Sequence, residues 1–150
     1  MKHSAYPYNS TAQTNRYTFT SVGKKSIVKQ VIFTYTGIDN IINMGFGDLQ
    51  PDGSIDDKAN SNNGDMIKVL ATIVQVLGKF VSEYPEAKIF FSGSTLERTK
   101  LYTRIIRAYY EDFSKNFMIT GIIKEGERYI EYSFHPQAEM EFEGFYIEKN

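Results

Sequence analysis

The chain is predicted to form one α+β domain, in which an antiparallel meander of three or four strands precedes an α-β-α unit and a C-terminal hairpin. Its 150 residues suffice for one domain with a hydrophobic core. Strand-like runs fill the first third of the chain, and two stretches with apolar residues at helical spacing follow them. The expected order is β-β-β-(β)-α-β-α-β-β-(β) over residues 17–150, after a flexible polar arm at residues 1–16.

Turn sequences separate the predicted strands of the meander. The strands are the runs YTFTSV, SIVKQVIFTYT and IINMGFGDL, and the turns between them are GKK and GIDN. The two glycines of the third run indicate a bulge or a close backbone approach. A strong turn at Pro51–Gly53 then leads into SIDD, which we expect to be a short edge strand.

The segment after SNNGDM predicts a helix that is buried on more than one side. Its apolar residues form two stripes, Ile67, Leu70, Ala71, Val74, Leu77, Gly78 and Val81 in one, and Val69, Ile73, Val76 and Phe80 in the other. The polar face is narrow and consists of Lys68, Thr72, Gln75, Lys79 and Ser82. A helix with so little polar surface should lie across the sheet with another helix beside it.

The second half of the chain predicts a buried strand, a second helix and a hairpin. Pro85 ends the first helix, and KIFFSGS has the continuous apolar character of a buried strand. The run TLERTKLYTRIIRAYYEDFSK predicts one helix with Ser94 or Thr95 as its N-cap. A hairpin around Glu125 and Gly126 and a last strand within EFEGFYIEK close the chain.

The composition excludes several classes of function. A net charge of −1 gives no global reason to expect binding to nucleic acid or to an anionic membrane. Without cysteine the chain cannot form disulfides, thiolate zinc sites or a thiol nucleophile, and its absence suits a reducing cytoplasm. No apolar run reaches the roughly 18 to 20 residues of a membrane span, and the polar N-terminus does not resemble a signal peptide. We therefore expect a cytoplasmic protein with no membrane partner.

Five aspartates, Asp48, Asp52, Asp56, Asp57 and Asp65, fall within eighteen residues. Hard cations prefer oxygen ligands, so Asp56, Asp57 and Asp65 are candidate ligands of Mg²⁺ or Mn²⁺. Such an ion could activate water on a phosphate ester. The structural alternative places Asp52 in a turn and Asp65 at the helix cap, with the other carboxylates solvated.

The stretch SGSTLERTKLY combines small residues after a buried strand with a helix start. Backbone N–H groups in such a place can face an anion, and crossover sheets bind ligands at the carboxyl ends of their strands. Ser92, Ser94 and Thr95 would add hydroxyl donors, while Arg98 and Lys100 would add charge. In the structural alternative, Ser94 or Thr95 only caps the helix and Arg98 bonds a loop carboxylate.

The turns before the two helices can lie at the same edge of the sheet, which would bring the acidic and the Gly-Ser segments together. The candidate ligand-binding residues of that surface are Asn62, Asn63, Ser92, Ser94, Thr95, Arg98, Lys100 and Arg104. Asp57 and Arg98 would be the catalytic candidates if the surface were an active site. The basic stripe that includes Lys100 and Arg104 is also compatible with a solvated helix face.

The order of elements resembles the ribonuclease H-like fold over residues 26–110. Members of that fold family often carry a Thr-Asn-Asn turn before the first helix and a Thr-Asp-Ser strand end before the next. This chain is similar at Ser61–Asn63 and at Ser92–Ser94. The resemblance implies a two-metal site, but Met66 and Ile67 stand near its expected glutamate and Gly93 stands at its strand-end aspartate. The usual catalytic carboxylates are therefore missing.

The whole pattern also resembles a family of small bacterial proteins known as a domain of unknown function. The motifs that carry this resemblance are FGDL, DGSIDD, SNNGD, VLAT, GSTLERTKLY and FEGF, in this order. They span nearly the whole chain and imply relatives without implying a reaction.

The sequence favours a non-catalytic binding or accessory domain for a phosphate-containing ligand, nucleic acid or a partner protein. One alternative is a metal-dependent nuclease or phosphoesterase. Another is a protein-interaction component of a toxin–antitoxin or phage-defence pair, which an exposed apolar patch at residues 142–147 would favour.

Overall fold

A computed structural model describes residues 4–10, 15–56 and 63–150 of the chain. These residues form three helices and nine strands. The helices are α1 (Met66–Glu83), α2 (Leu96–Ala108) and α3 (Tyr110–Asn116). The strands are β1 (Asn9–Ser10), β2 (Arg16–Val22), β3 (Ser26–Tyr35), β4 (Ile41–Leu49), β5 (Ile55–Asp56), β6 (Lys88–Phe91), β7 (Phe117–Glu125), β8 (Arg128–Ser133) and β9 (Gly144–Lys149). The predicted α+β class is confirmed.

The strands form one sheet in the order β1-β2-β3-β4-β6-β9-β7-β8, and β5 pairs with β4 beside this path. β2, β3 and β4 form the predicted antiparallel meander, and β7 and β8 form the predicted hairpin. Within the described chain only β4 and β6 run parallel, with Ile41 opposite Lys88. The connection between these two strands is α1, as expected for a parallel pair, which needs a long crossover.

The core lies between one face of the sheet and the helices. Strand alternation turns Tyr17 and Phe19 of β2 and Val31 and Phe33 of β3 to this face, where all four are buried. The ring of Phe80 from α1 stacks on Phe33 at a centroid distance of 4.0 Å. At the centre of the other half, Phe145 and Ile147 of β9 are almost completely buried. Residues 142–147 therefore belong to the core. They do not form the exposed apolar patch that would favour a protein-interaction component.

Residues 4–10, a part of the predicted arm, pack against the start of α1. The Tyr6 N–H donates to Thr72 Oγ1 at 2.9 Å, and the Tyr6 ring stacks on Phe19. Tyr6 is buried, and Thr72, expected on the polar face of α1, is completely buried beneath it. β1 adds an antiparallel pairing between Asn9 and Thr18. This coverage by the chain's own N-terminal segment explains how α1 buries part of its polar side.

The segment predicted as one helix after Thr95 is divided into α2 and α3. Tyr109 leaves the helical conformation at φ −112° and ψ 24°, and its carbonyl accepts the N–H groups of Asp112 and Phe113. The break redirects the chain so that Phe113 is buried next to Phe117, the first residue of β7. Tertiary packing of Phe113 thus overrides the continuous helical pattern of the sequence.

No helix in the described part of the chain is long and apolar enough to cross a membrane.

Candidate ligand-binding cleft between the first two helices

A cleft of about 470 Å³ lies between α1 and α2, above the end of β4. Its apolar lining consists of Phe46, Met66, Val69, Leu70, Ile73, Leu101, Tyr102 and Ile105. A smaller cavity of about 230 Å³ shares Leu70, Ile73 and Tyr102 with it, so the two adjoin. β4 and β6 are parallel, and the cleft lies near their carboxyl ends, where crossover sheets usually bind ligands. Residues of each predicted site segment therefore line this cleft, Asp48 and Asp65 from one and Thr95 and Arg98 from the other.

One wall of the cleft contains a buried ion pair that connects two neighbouring strands. Lys29 of β3 and Asp48 of β4 are partners in the strand register, and Lys29 Nζ lies 2.5 Å from Asp48 Oδ1. Lys29 is only 6% exposed, and its ammonium lies 5.9 Å from the centroid of the Phe46 ring. Asp56 of β5 stands opposite Asp48 in the next pairing. The core face of the meander therefore changes from apolar to charged where the sheet reaches the cleft.

Asp65 immediately precedes α1 on the same wall. Its Oδ2 accepts hydrogen bonds from Ser21 Oγ at 2.5 Å and from the Tyr6 hydroxyl at 2.6 Å. Burial raises the pKa of this carboxyl, but the bonds from Ser21 and Tyr6 and the charge of Lys29 outweigh it. The pKa of Asp65 is consequently lowered from its ordinary value of 3.8. The predicted helix cap is wrong in one respect: Asp65 occupies the cap position, but its side chain makes no capping hydrogen bond.

Asn63 holds the segment before α1 against the turn between β2 and β3. Its Nδ2 donates to the Lys25 carbonyl at 2.7 Å and to Ser21 Oγ at 3.0 Å, while its Oδ1 accepts from the Lys25 N–H at 2.9 Å. A Cβ at Gly23 would lie 1.8 Å from the Asn63 carbonyl oxygen, so only glycine permits this approach. The predicted ligand-binding amide of Asn63 is thus engaged in structural bonds.

The opposite wall is formed by the start and first turns of α2. Thr95 is the N-cap, since its Oγ1 accepts from the Arg98 N–H at 3.3 Å. Thr99 Oγ1 accepts the Gly93 N–H at 3.0 Å, and a Cβ on Gly93 would lie 2.4 Å from the Thr99 nitrogen. These bonds engage two of the backbone donors that were predicted to face an anion.

The predicted ligand-binding side chains divide between several places. Thr95, Arg98 and Arg104 line the large cleft, and Ser92 and Ser94 line the smaller cavity. Lys100 is on neither cavity surface; its Nζ lies 3.5 Å from Glu141, and both side chains are exposed. Asn62 lies outside the described residues.

The predicted metal site is not completed by the residues whose positions are described. Within 4–10, 15–56 and 63–150, no group of three His, Asp or Glu side chains could hold a metal ion. Asp57, the third proposed ligand and a catalytic candidate, lies outside these ranges. Asp56 stands opposite Asp48 in the sheet, whereas Asp65 is bonded to Ser21 and Tyr6. The metal site of Asp56, Asp57 and Asp65 stays a prediction.

Sequence reasoning missed the contributions of Lys29, Ser21 and Tyr6 to the cleft wall. A signal for Lys29 was present, because a lone lysine in the run SIVKQVIF shares its strand face with Val31 and Phe33. Period-two alternation therefore predicts that Lys29 points to the core, where a charge needs a partner. Ser21 follows Tyr17 and Phe19 on the same face in the same manner. No comparable signal exists for Tyr6, whose position depends on a distant contact.

A family model described as a family of unknown function (DUF6934) matches residues 2–150. This match confirms the predicted relationship to a domain-of-unknown-function family. The comparisons with curated proteins and with solved structures gave no match.

Proposed function

The chain belongs to DUF6934, a family of unknown function, and we propose that it is a non-catalytic binding domain for a small phosphate-containing ligand. The observation that carries this proposal is the cleft between α1 and α2, which combines an apolar lining with Arg98 and Arg104. Ligand sites are typically concave, mostly apolar and provided with a few polar groups that fix orientation. A volume of about 470 Å³ falls within the range of such sites.

The arginines supply the chemistry that favours phosphate. A guanidinium presents several N–H donors in a planar fork, which matches the oxygens of a phosphate group. Arg98 and Arg104 are six residues apart on α2, and both line the cleft. Arg104 is exposed and forms no ion pair with another residue of the described ranges, so its guanidinium is accessible to a ligand.

The rival function is a metal-dependent nuclease or phosphoesterase that uses Asp56, Asp57 and Asp65 with Mg²⁺ or Mn²⁺ and Arg98 as the residue that stabilises the transition state. Against it stands the engagement of the carboxylates on the cleft wall. Of the three proposed ligands, Asp65 accepts two side-chain hydrogen bonds, and the neighbouring carboxylate of Asp48 is paired with Lys29. A cation would have to displace or share these partners, which favours a binding role over metal catalysis.

We further propose a ribonuclease H-like relationship and a bacterial cytoplasmic setting. The antiparallel meander joined through crossover helix α1 to a parallel strand supports the first, and the lack of cysteine suits the second. Because folds host unrelated functions, neither statement contributes to the choice of ligand.

The test is a thermal melting series on the full chain with inorganic phosphate, adenosine monophosphate, a single-stranded octanucleotide, Mg²⁺ or Mn²⁺. A ligand at 100 times its Kd adds about 2.7 kcal/mol, which raises the Tm of a domain of this size by roughly 5 to 10 °C. We expect such a rise with a phosphate compound. The variant Arg104→Gln should lose most of this rise in Tm, because it removes a positive charge that lines the cleft.

Lys100→Gln is the matched control, since it removes one positive charge from the same helix at a side chain that lines neither cavity. Equal responses of the two variants, or no rise with any phosphate compound, would overturn the proposal. A rise with Mn²⁺ or Mg²⁺ alone would instead support the metal-dependent enzyme.

A further inference from the structure

We infer that the cleft takes a nucleoside monophosphate, a ligand with one phosphate at one end and a flat, hydrogen-bond-donating group at the other. This inference rests on the proposed function and specifies its ligand. Three features of the lining carry it: the separation of charges between the two walls, the apolar surface between them, and the carboxylate oxygens available as acceptors.

The charges are divided by wall. α2 contributes Arg98, Arg104 and Glu97, whereas β3, β4 and the start of α1 contribute Lys29, Asp48 and Asp65. Counting one charge for each lining side chain among the described residues, the α2 wall carries +1 (two arginines, one glutamate) and the opposite wall carries −1 (one lysine, two aspartates). A ligand that spans the cleft should therefore be anionic at the end that meets α2 and uncharged or cationic at the other.

The wall that carries Asp48 and Asp65 presents carboxylate oxygens that can accept hydrogen bonds. The bond from Lys29 occupies Oδ1 of Asp48, and those from Ser21 and Tyr6 both occupy Oδ2 of Asp65. No side chain of the described residues donates to the other oxygen of either carboxylate. An ionised carboxylate can accept several bonds, and the lowered pKa keeps Asp65 ionised at neutral pH. Amino and hydroxyl groups of a nucleoside are donors of the kind that these oxygens accept.

The surface between the charged groups is apolar and partly aromatic. Phe46 comes from the sheet, Leu70 and Ile73 from α1, and Tyr102 and Ile105 from α2. A flat base would bury its faces against such side chains, and base–aromatic stacking contributes about 1 to 3 kcal/mol for each base. A sugar phosphate without a base would leave this surface unfilled.

A nucleic acid strand fits the lining less well than a single nucleotide. Each further nucleotide adds a phosphate, and the net charge of −1 on the wall with Asp48 and Asp65 repels it. Strand-binding proteins instead follow the backbone with a continuous positive groove. The described lining residues of the α2 wall carry one net positive charge, so the charge pattern favours a ligand with one phosphate group.

The experiment compares Kd values for the full chain by isothermal calorimetry at one fixed salt concentration. The probes are adenosine monophosphate, adenosine, ribose 5-phosphate, inorganic phosphate and a single-stranded octanucleotide. We expect the nucleotide to bind at least tenfold tighter than each of the other four. Asp65→Asn should reduce the ratio of the octanucleotide Kd to the nucleotide Kd several-fold, because it removes a negative charge that repels the additional phosphates.

Asp39→Asn is the charge-matched control. Asp39 lies in the turn just before β4, whereas Asp48 lies near the carboxyl end of that strand. Asparagine tolerates the positive φ of 46° at Asp39. If Asp65→Asn does not fold, the order of the five Kd values on the unmodified chain still tests the inference of a nucleoside monophosphate ligand. Equal binding of all phosphate compounds overturns this inference and leaves the proposed function intact. Tighter binding of the octanucleotide overturns this inference and replaces the small ligand of the proposed function with a nucleic acid strand. No binding of any phosphate compound overturns both.

Discussion

Lys29 and Asp48 form an ion pair whose burial has an electrostatic cost. Removing two charges from water costs several kcal/mol for each ion, and only a close partner recovers most of it. Lys29 is 6% exposed and its ammonium lies 2.5 Å from Asp48, so the pair satisfies this condition. A purely structural position in a β-sheet is usually filled more stably by apolar residues. Their place in a cleft lining supports a role in ligand binding.

The pKa of Asp65 predicts a loss of stability in acid. Because the folded pKa lies below the ordinary value of 3.8, the carboxylate stabilises the fold above that pH. This contribution is lost as the pH falls below 3.8 through the folded pKa, when the native carboxylate is protonated. Urea unfolding midpoints between pH 5 and pH 2 should therefore fall more steeply for the unmodified chain than for Asp65→Asn. Parallel pH profiles would contradict the assigned hydrogen bonds from Ser21 and Tyr6.

Among the elements, α1 contacts both the core and the N-terminal segment of residues 4–10. The helix was expected to be buried on two sides, by the sheet and by a second helix. Part of its polar side is covered as well, where Tyr6 packs over Thr72 and the Lys68 ammonium lies 4.4 Å from the Tyr6 ring centroid. The Tyr6 hydroxyl also reaches Asp65, so the N-terminal segment and the cleft wall are held by one side chain.

We expect opposite effects on stability for substitutions at Gly93, which precedes α2, and at Gly78, within α1. A Cβ at Gly93 would lie 2.5 Å from the Arg98 Cβ and 2.4 Å from the Thr99 nitrogen, so Gly93→Ala must displace the first turn of α2. We expect it to destabilise the fold by about 1 to 3 kcal/mol and to weaken ligand binding. Gly78→Ala is the control, since a Cβ there meets no atom within 4 Å and the helix interior gains about 0.5 to 1 kcal/mol. Denaturant midpoints measure both, and equal stability of the two variants would contradict the packing of α2 on Gly93.

At the scale of the whole molecule, the single sheet connects both halves of the chain. The meander β2–β4 joins the C-terminal strands through β6, which pairs with β4 on one side and with β9 on the other. α1 lies in the crossover between these halves, and the cleft forms where α1 and α2 meet above β4. The candidate site therefore contains groups from both sides of the junction.

This arrangement predicts one cooperative unfolding transition for residues 17–150. One core cluster contains residues of both halves, from Tyr6 and Tyr17 to Ile147 in β9, so neither half keeps a complete core alone. Urea curves followed by far-ultraviolet circular dichroism and by tyrosine fluorescence should coincide. Two separate midpoints would show that the halves fold independently and would contradict the prediction of a single domain.

The sequence by itself determined most elements of the fold and the segments of the candidate site, but it did not predict β1 or the division between α2 and α3. Period-two runs predicted the meander and the C-terminal hairpin, and period-3.6 stripes predicted α1 and the start of α2, because these patterns reflect burial of one face of each element. The turn residues placed the Asp-rich and Gly-Ser segments before the two helices. Thr95 was one of the two predicted caps, since capping depends on groups three residues away.

Only the tertiary structure decided the partners of the side chains. Lys29 and Asp48 are nineteen residues apart, and Tyr6 and Asp65 are separated by fifty-nine, so no local pattern contains these contacts. The same reason applies to Asn63, which holds the β2–β3 turn, and to Lys100, which lies off the cleft beside Glu141. Local periodicity reports which face of an element is buried. Strand register and packing between distant segments decide what each polar group on that face meets, and hence whether it holds the fold or faces a ligand.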